Sequence, residues 1–140
     1  MADTLVLRFA ASHEQLQLAD RDINALAERQ RWPEDLLFKI KLVIEEVGLN
    51  IIDYGYERDD SKEIEIRFRC GEDALTIDII DEARAFDPLT EPPAPDTSAG
   101  LEERAVGGLG LHLVKEMMDE VCYAREGNRN RLTLKARLAP

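Results

Sequence analysis

The hydrophobic period changes several times along this chain, and that succession constrains the fold more than any other feature. Leu5, Leu7 and Phe9 alternate with polar residues, as in a strand with one buried face. Two helical stripes follow, and the period then returns to two over residues 64–70 and 74–81. The predicted order is β-α-α-β-β-loop-α-β-β. Strands that are adjacent in sequence at both ends, with few helices, favour an α+β fold, a two-layer sandwich with helices on one face of a mixed, largely antiparallel sheet.

Start signals precede both helical stripes. Ser12, with Gln15 three residues later, has the sequence pattern of a capping box, and Pro33 suits the first turn of the second helix. A third helix is expected after residue 112, and two closing strands are expected around Gly127-Asn128. The apolar positions of the two stripes are Leu16, Ala19, Ile23, Leu26 and Ala27 in the first and Leu36, Leu37, Ile40, Val43, Ile44, Val47 and Ile51 in the second.

Charge and composition exclude several classes of protein. The chain has 29 acidic and 18 basic residues, a net charge of −11, which repels nucleic-acid phosphates and speaks against a general DNA or RNA binder. No apolar run approaches the roughly 20 residues of a membrane span, and the first residues lack a signal-peptide pattern. Two cysteines, Cys70 and Cys122, are too few for a disulfide scaffold. We therefore expect a cytoplasmic protein with no membrane partner and a single domain over residues 1–140.

Polar residues stand out near the end of the second helical stripe. Glu46 and Asn50 are four residues apart, so they share one helix face. Gly48, a poor helix former, lies between them. An Asn oxygen suits Mg²⁺, and a neighbouring carboxylate can orient or deprotonate a hydroxyl group. The pattern indicates a cation and proton-transfer site, with a solvated helix edge as the alternative.

Two further segments carry chemistry. Asp81 ends an apolar strand, where a carboxylate can accept a hydrogen bond from a base; a turn-forming Asp is the alternative. Gly107, Gly108 and Gly110 directly precede a predicted helix, whose free N–H groups favour phosphate; a flexible hinge is the alternative. They match neither a P-loop nor a dinucleotide fingerprint. Residues 88–106, rich in Pro and Glu, are typical of a lid or a disordered segment.

In their order, these three segments resemble the GHKL ATP-binding fold, or Bergerat fold, shared by histidine kinases, Hsp90, gyrase and MutL. Within it the chain looks closest to the RsbW/SpoIIAB-type anti-sigma-factor serine/threonine kinases. Glu46–Tyr56 resembles the N-box of that group, Asp81–Pro88 its G1 box and Gly107–Val114 its G2 box. The likeness continues through Met118–Tyr123 and Asn130–Leu134, so it covers nearly the whole chain.

This resemblance implies roles for the matching residues. Asn50 would coordinate Mg²⁺, Glu46 would be the general base for a serine or threonine hydroxyl, and Asp81 would accept the adenine amino group. Glu45 is a less favoured candidate for the general base, because it lies five residues from Asn50 and on a different face of the helix. Residues 88–106 would form the ATP lid. Further nucleotide contacts are implied for Asp53, Ala83, Phe86, Gly107, Gly108, Leu109, Gly110, Leu111 and Thr133.

Outside the matched boxes, two basic residues are candidates for phosphate contact. Arg104 lies in the proposed lid and His112 follows the glycines. Either could instead be solvated, as a loop arginine and a helix-surface histidine.

Two positions depart from the family pattern. Ala83 stands where the G1 box has glycine, and Tyr54 stands where many relatives have histidine. A methyl group at position 83 is harmless at negative φ and costs about 1 kcal/mol or more at positive φ. These changes bear on nucleotide affinity and leave the charged groups in place.

The resemblance implies an ATP- and Mg²⁺-dependent serine/threonine kinase of a partner-switching system. Such kinases phosphorylate a STAS-domain antagonist and bind a sigma factor or other regulatory protein, and homodimerisation is expected from the relatives. Two alternatives stay open. One is a catalytically weak nucleotide-binding module that sequesters a partner, and the other is a freestanding ATPase or a histidine-kinase catalytic fragment.

Overall fold

The computed structural model describes residues 3–86 and 113–138. All the elements predicted within these ranges are present, and one short π-helical turn is added after the second helix. Residues 113–117 form a short helix, α3. The other elements are β1 (Asp3–Ala10), α1 (His13–Gln30), α2 (Glu34–Asn50), the π-turn (Ile51–Gly55), β2 (Glu63–Cys70), β3 (Ala74–Asp81), β4 (Glu120–Glu126) and β5 (Arg129–Arg137).

The described strands form one five-stranded sheet in the order β1-β2-β3-β5-β4. Every pairing between them is antiparallel, where a mixed, largely antiparallel sheet was expected. The central β3–β5 pair joins the first three strands to the final hairpin, and its register sets Asp81 opposite Asn130. The α+β class is confirmed.

The Ser12 cap forms as the sequence indicates, whereas Pro33 takes the capping position before α2 rather than a place in its first turn. The Ser12 Oγ accepts a hydrogen bond from the Gln15 N–H at 3.2 Å, which satisfies one free donor of α1. Pro33 directly precedes α2. Among the described residues, no helix combines the length and apolar character needed to cross a membrane.

The core lies between the two long helices and one face of the sheet. Alternate residues of the strands, such as Phe68, Ile77 and Leu134, are fully buried against Ile23 and Ile40 of the helices. Burying each such side chain contributes about 1.5–3 kcal/mol, so this face holds the two layers together.

Gly48 has a packing role in this arrangement. A Cβ atom at position 48 would lie 2.8 Å from Cδ1 of Leu16 in α1. The glycine that weakens α2 as a helix therefore lets the two helices approach closely.

Candidate functional site

A pocket opens at one end of the core, between α2 with its π-turn and the ends of β3, β4 and β5. Its wall is mainly apolar and aromatic, with a few polar groups at its edges, which is the usual make-up of a small-molecule site. Its lining residues are Val47, Asn50, Ile51, Tyr54, Gly55, Ile79, Asp81, Ala83, Arg84, Phe86, Tyr123, Asn130 and Leu132.

Asp81 is the buried carboxylate of this pocket. Its Oδ1 accepts hydrogen bonds from the Ala83 N–H and from Nδ2 of Asn130, both at 2.9 Å. Burial raises its pKa, and these two bonds and the charge of Arg125 oppose that rise without cancelling it. Among the described residues both bonds fall on Oδ1. The second oxygen is therefore the acceptor available to a ligand's N–H group.

Asn130 is the residue that orients Asp81, and sequence reasoning did not single it out. Besides bonding Asp81, its Nδ2 donates to the carbonyl of Arg84 at 2.9 Å. Its Oδ1 accepts from the Tyr123 hydroxyl and, at 3.2 Å, from Nη1 of Arg125. A side-chain amide with donors and acceptors satisfied in this way is held in one orientation. The Asp81 carboxylate is thereby fixed as well.

Thr133 does not reach this pocket, so its expected adenine-side contact is wrong. Its hydroxyl donates to Oδ1 of Asp78 at 2.6 Å on the other face of the sheet. Successive strand residues point to opposite faces, and Asn130 shares the buried face with Leu132 and Leu134. That alternation is the signal that identifies Asn130, rather than Thr133, as the inward-facing polar residue of β5.

Helix α2 forms the wall of the pocket that lies opposite the strands. Asn50 lines the pocket, and its Nδ2 donates to the backbone carbonyl of Glu46 at 2.9 Å. Glu46 is half-buried one turn away, outside the pocket lining. Burial, and then the negative charge of Glu45, raise the pKa of Glu46. A carboxyl group with a raised pKa is suited to accept a proton near neutral pH.

Asp53 lies in the π-turn that follows Asn50 and, unlike Asn50, does not line the pocket. The Tyr56 N–H donates to the Ile51 carbonyl at 2.8 Å, an i→i+5 bond that widens the turn. Asp53 points towards α1 instead, where its Oδ1 accepts from Nε2 of His13 at 2.8 Å and from Nε of Arg58 at 3.2 Å. Asp53 is not among the described residues that line the pocket, and its implied contact with a nucleotide stays a prediction.

Ala83 and Phe86, both in the segment that resembles the G1 box, line the pocket. Ala83 is not among the described non-glycine residues with positive φ, so its methyl group causes no backbone strain. Its Cβ faces Gly55, where an added Cβ would lie only 3.1 Å away. The π-turn and the segment around Ala83 can therefore approach closely because residue 55 is a glycine.

The expected phosphate-binding part lies outside the described residues. It comprises the proposed lid, residues 88–106, together with Arg104, Gly107, Gly108, Leu109, Gly110, Leu111 and His112.

The donor set fits a magnesium ion that is held mainly by a nucleotide. With Nδ2 of Asn50 bound to Glu46, the side-chain oxygen is its free ligand atom. Among the described residues, no cluster of three or more His, Cys, Asp or Glu could hold a metal. Mg²⁺ commonly takes one or two protein oxygens and completes its shell with phosphate oxygens and water.

Comparisons with known proteins agree with this geometry. Residues 9–136 match the model of the histidine kinase-like ATPase domain family. The serine-protein kinase RsbW of Bacillus subtilis is 29% identical over 123 residues, 86% of this chain and 77% of the relative. The serine/threonine-protein kinase BtrW of Bordetella bronchiseptica is 30% identical over 115 residues, 82% of this chain and 80% of the relative.

Two solved structures share the fold. A crystal structure of RsbU and RsbW domains from Mycobacterium tuberculosis matches with a TM-score of 0.69 at 15% identity, over 99% of this chain but 33% of that longer chain. The SiaB–SiaC complex from Pseudomonas aeruginosa matches with a TM-score of 0.67 at 14% identity, over 96% of this chain and 88% of that one.

Proposed function

This chain belongs to the histidine kinase-like ATPase family, and within it to the RsbW-type protein kinases, and from that premise we propose its activity. It transfers the γ-phosphoryl group of ATP, with Mg²⁺, to a serine or threonine of a STAS-domain antagonist. It also binds a sigma factor or another regulatory protein, in a partner-switching system in the cytoplasm. Residues 1–140 act as one domain, and a homodimer is the expected assembly.

The observation that carries this proposal is the oriented Asp81 carboxylate in an apolar pocket. A purine can pack between the apolar walls while its amino group donates to Asp81, which selects a base with an amino donor. Because Asn130 holds the Asp81 carboxylate in place, nucleotide binding loses little further side-chain entropy there. The 6-amino group of adenine can supply this donor, and ATP is therefore the proposed nucleotide.

In the proposal, Asn50 and Glu46 of α2 act at the phosphate end of the nucleotide. The Asn50 oxygen is the protein ligand proposed for Mg²⁺, which when bound neutralises phosphate charge. Glu46 accepts the proton of the incoming serine or threonine hydroxyl as the hydroxyl oxygen bonds to the γ-phosphorus. The bond from that phosphorus to the β,γ-bridging oxygen breaks, and ADP leaves. The raised pKa of Glu46 supports this role. Gly107, Gly108 and Gly110, with Arg104, complete the phosphate site in the proposal, beneath a lid of residues 88–106.

A phosphotransfer assay tests the proposal. The purified chain is incubated with γ-labelled ATP, Mg²⁺ and a STAS-domain protein from a neighbouring reading frame. Label on a serine or threonine of that protein is the expected result. Stable binding of the partner without labelling would instead identify a sequestering module, and phosphate release without any partner would identify an ATPase.

A further inference from the structure

A second groove runs between α1 and α2. Helix α2 is a wall of both cavities: Val47 and Asn50 face the nucleotide pocket, whereas Leu42 and Leu49 face this groove. The groove excludes Glu46, Asn50 and Asp81; of the residues implied by the resemblance it includes Asp53, which bonds His13, and Glu45, the second candidate for the base.

Its apolar part is a ridge along α2. Phe38, Leu42 and Leu49 line the groove at spacings of four and seven residues, so they lie on one helix face. Phe38 is 65% exposed, the highest value among the large apolar side chains of the described residues. An exposed aromatic ring beside partly buried leucines is typical of a protein-binding surface.

The groove is also acidic. Asp20, Glu34, Glu45 and Asp53 lie along it, against the single lysine Lys41. Lys41 is 3.8 Å from Asp20, and His13 is bonded to Asp53.

Two carboxylates in the groove have no cationic partner among the described residues. Glu34 and Glu45 make no ion pair among the described residues. An apolar ridge flanked by unneutralised carboxylates attracts an apolar surface flanked by cations.

We propose that this groove docks a basic amphipathic helix of a protein partner. The α2 wall from Glu34 to Leu49 is about 22 Å long at ~1.5 Å per residue, which accommodates a helix of about four turns. Apolar residues of the partner helix pack against Phe38 and Leu42, and its Lys or Arg residues pair with Glu34 and Glu45. This inference rests on the proposed partner-switching function and names the chemistry of the partner.

A fluorescent synthetic peptide serves as the probe, an amphipathic helix of Leu and Lys of about 15 residues. A matched peptide has Glu in place of Lys. Binding to the full chain is measured by anisotropy, and the bound position by hydrogen exchange. We expect the basic peptide to bind and protect α1 and α2, and the acidic peptide not to bind.

Two groove variants and two matched surface variants localise the binding. Phe38→Ser and Glu45→Lys should each weaken binding about tenfold or more, the size expected at a central contact. Leu18→Ser changes an exposed leucine outside the groove lining, and Glu72→Lys changes an exposed carboxylate in the β2–β3 turn. Each should change peptide affinity less than about twofold. Equal losses in all four variants, or wild-type binding by both groove variants, would overturn the proposal.

Two further measurements separate this proposal from the others. A wild-type dimer in sedimentation that Phe38→Ser dissociates, without peptide binding, would assign the groove to a second copy and overturn the docking of a basic helix. ATP binding by Phe38→Ser should equal that of the wild type. A wild-type chain that binds the peptide but not ATP would refute the kinase proposal alone, whereas ATP binding and transfer without peptide binding would refute the docking proposal alone.

Discussion

Asn130 and Asp81, 49 residues apart in the chain, meet as direct partners across β3 and β5, with Nδ2 of Asn130 2.9 Å from Oδ1 of Asp81. The bond joins the end of β3 to the closing β4–β5 hairpin. It also occupies Oδ1 of Asp81, so that the second oxygen is the acceptor available to a ligand. The charge in the site is thus positioned by a neutral amide, and Tyr123 and Arg125 in turn hold that amide.

Asp81→Asn is expected to weaken ATP binding and to stabilise the fold. The lost charged acceptor reduces affinity by about 1–3 kcal/mol, measured by calorimetry. Because the pKa of Asp81 is raised in the folded state, its ionised form destabilises the fold at pH 7, and the contribution it makes at low pH is lost as the pH rises through that pKa. The neutral variant should therefore raise the free energy of unfolding in urea at pH 7.

The matched control for this change is Asp73→Asn. Asp73 is exposed in the β2–β3 turn and bonds Leu138 through its backbone carbonyl, so its side chain is free to change. Its ATP affinity and its unfolding should match the wild type. Unchanged affinity in Asp81→Asn would remove Asp81 from the base-binding site.

Gly55→Ala is expected to distort the pocket. Adding Ala83→Gly to the same chain is expected to remove the steric clash and restore the pocket. The added Cβ would lie 3.1 Å from that of Ala83, so overpacking should destabilise the fold by about 1–3 kcal/mol. Urea unfolding and ATP calorimetry on the two single variants and the double variant measure the coupling. Ala83→Gly alone should not tighten ATP binding, since Ala83 is unstrained. Additive effects would show that the two positions do not compete for space.

Glu46→Gln tests the proposed general base. It keeps the shape of the side chain and removes its basicity, so transfer to the STAS-domain protein should fall by about 10²–10⁴. ATP binding should stay near wild type, and Glu72→Gln, far along the sheet, serves as the control in both assays. Transfer at the wild-type rate would rule out this role.

The pH profile of transfer gives an independent test of the same residue. Activity should rise as the pH passes the pKa of Glu46, because the base must be ionised. Burial and then the Glu45 charge raise that pKa, so Glu45→Gln should move the acidic limb of the profile to lower pH. An acidic limb that does not move would show that another group titrates there.

Asp78 is expected to make the fold sensitive to acid. It is buried on the outer sheet face, and burial raises its pKa, but hydrogen bonds from Arg131 and Thr133 and the charges of Arg131 and Arg69 more than offset this and lower it. A lowered folded pKa gives stability that is present above the ordinary value near 4 and lost as the pH falls through the folded pKa. Urea unfolding between pH 2 and 7 should show this loss in the wild type and a flatter dependence in Asp78→Asn. Parallel curves for the two proteins would contradict it.

The sequence by itself determined the elements and their order. Hydrophobic period depends on neighbours a few residues away, so the strands, both long helices and the Ser12 cap were predictable. The same local reasoning identified Glu46 and Asn50 on one helix and Asp81 at a strand end. The inward direction of Asn130 was also readable, because it alternates in phase with Leu132.

Only the tertiary structure decided which of these polar groups meet. Asp81 and Asn130 are neighbours because the β3–β5 register aligns them, and that register depends on how the whole sheet packs against the helices. The π-turn after α2 was not predicted, and its contacts reach segments distant in the chain: Asp53 bonds His13 of α1, and Gly55 lies against Ala83. Periodicity fixes the face on which a residue lies, whereas the partners across that face are chosen by packing between segments distant in the chain.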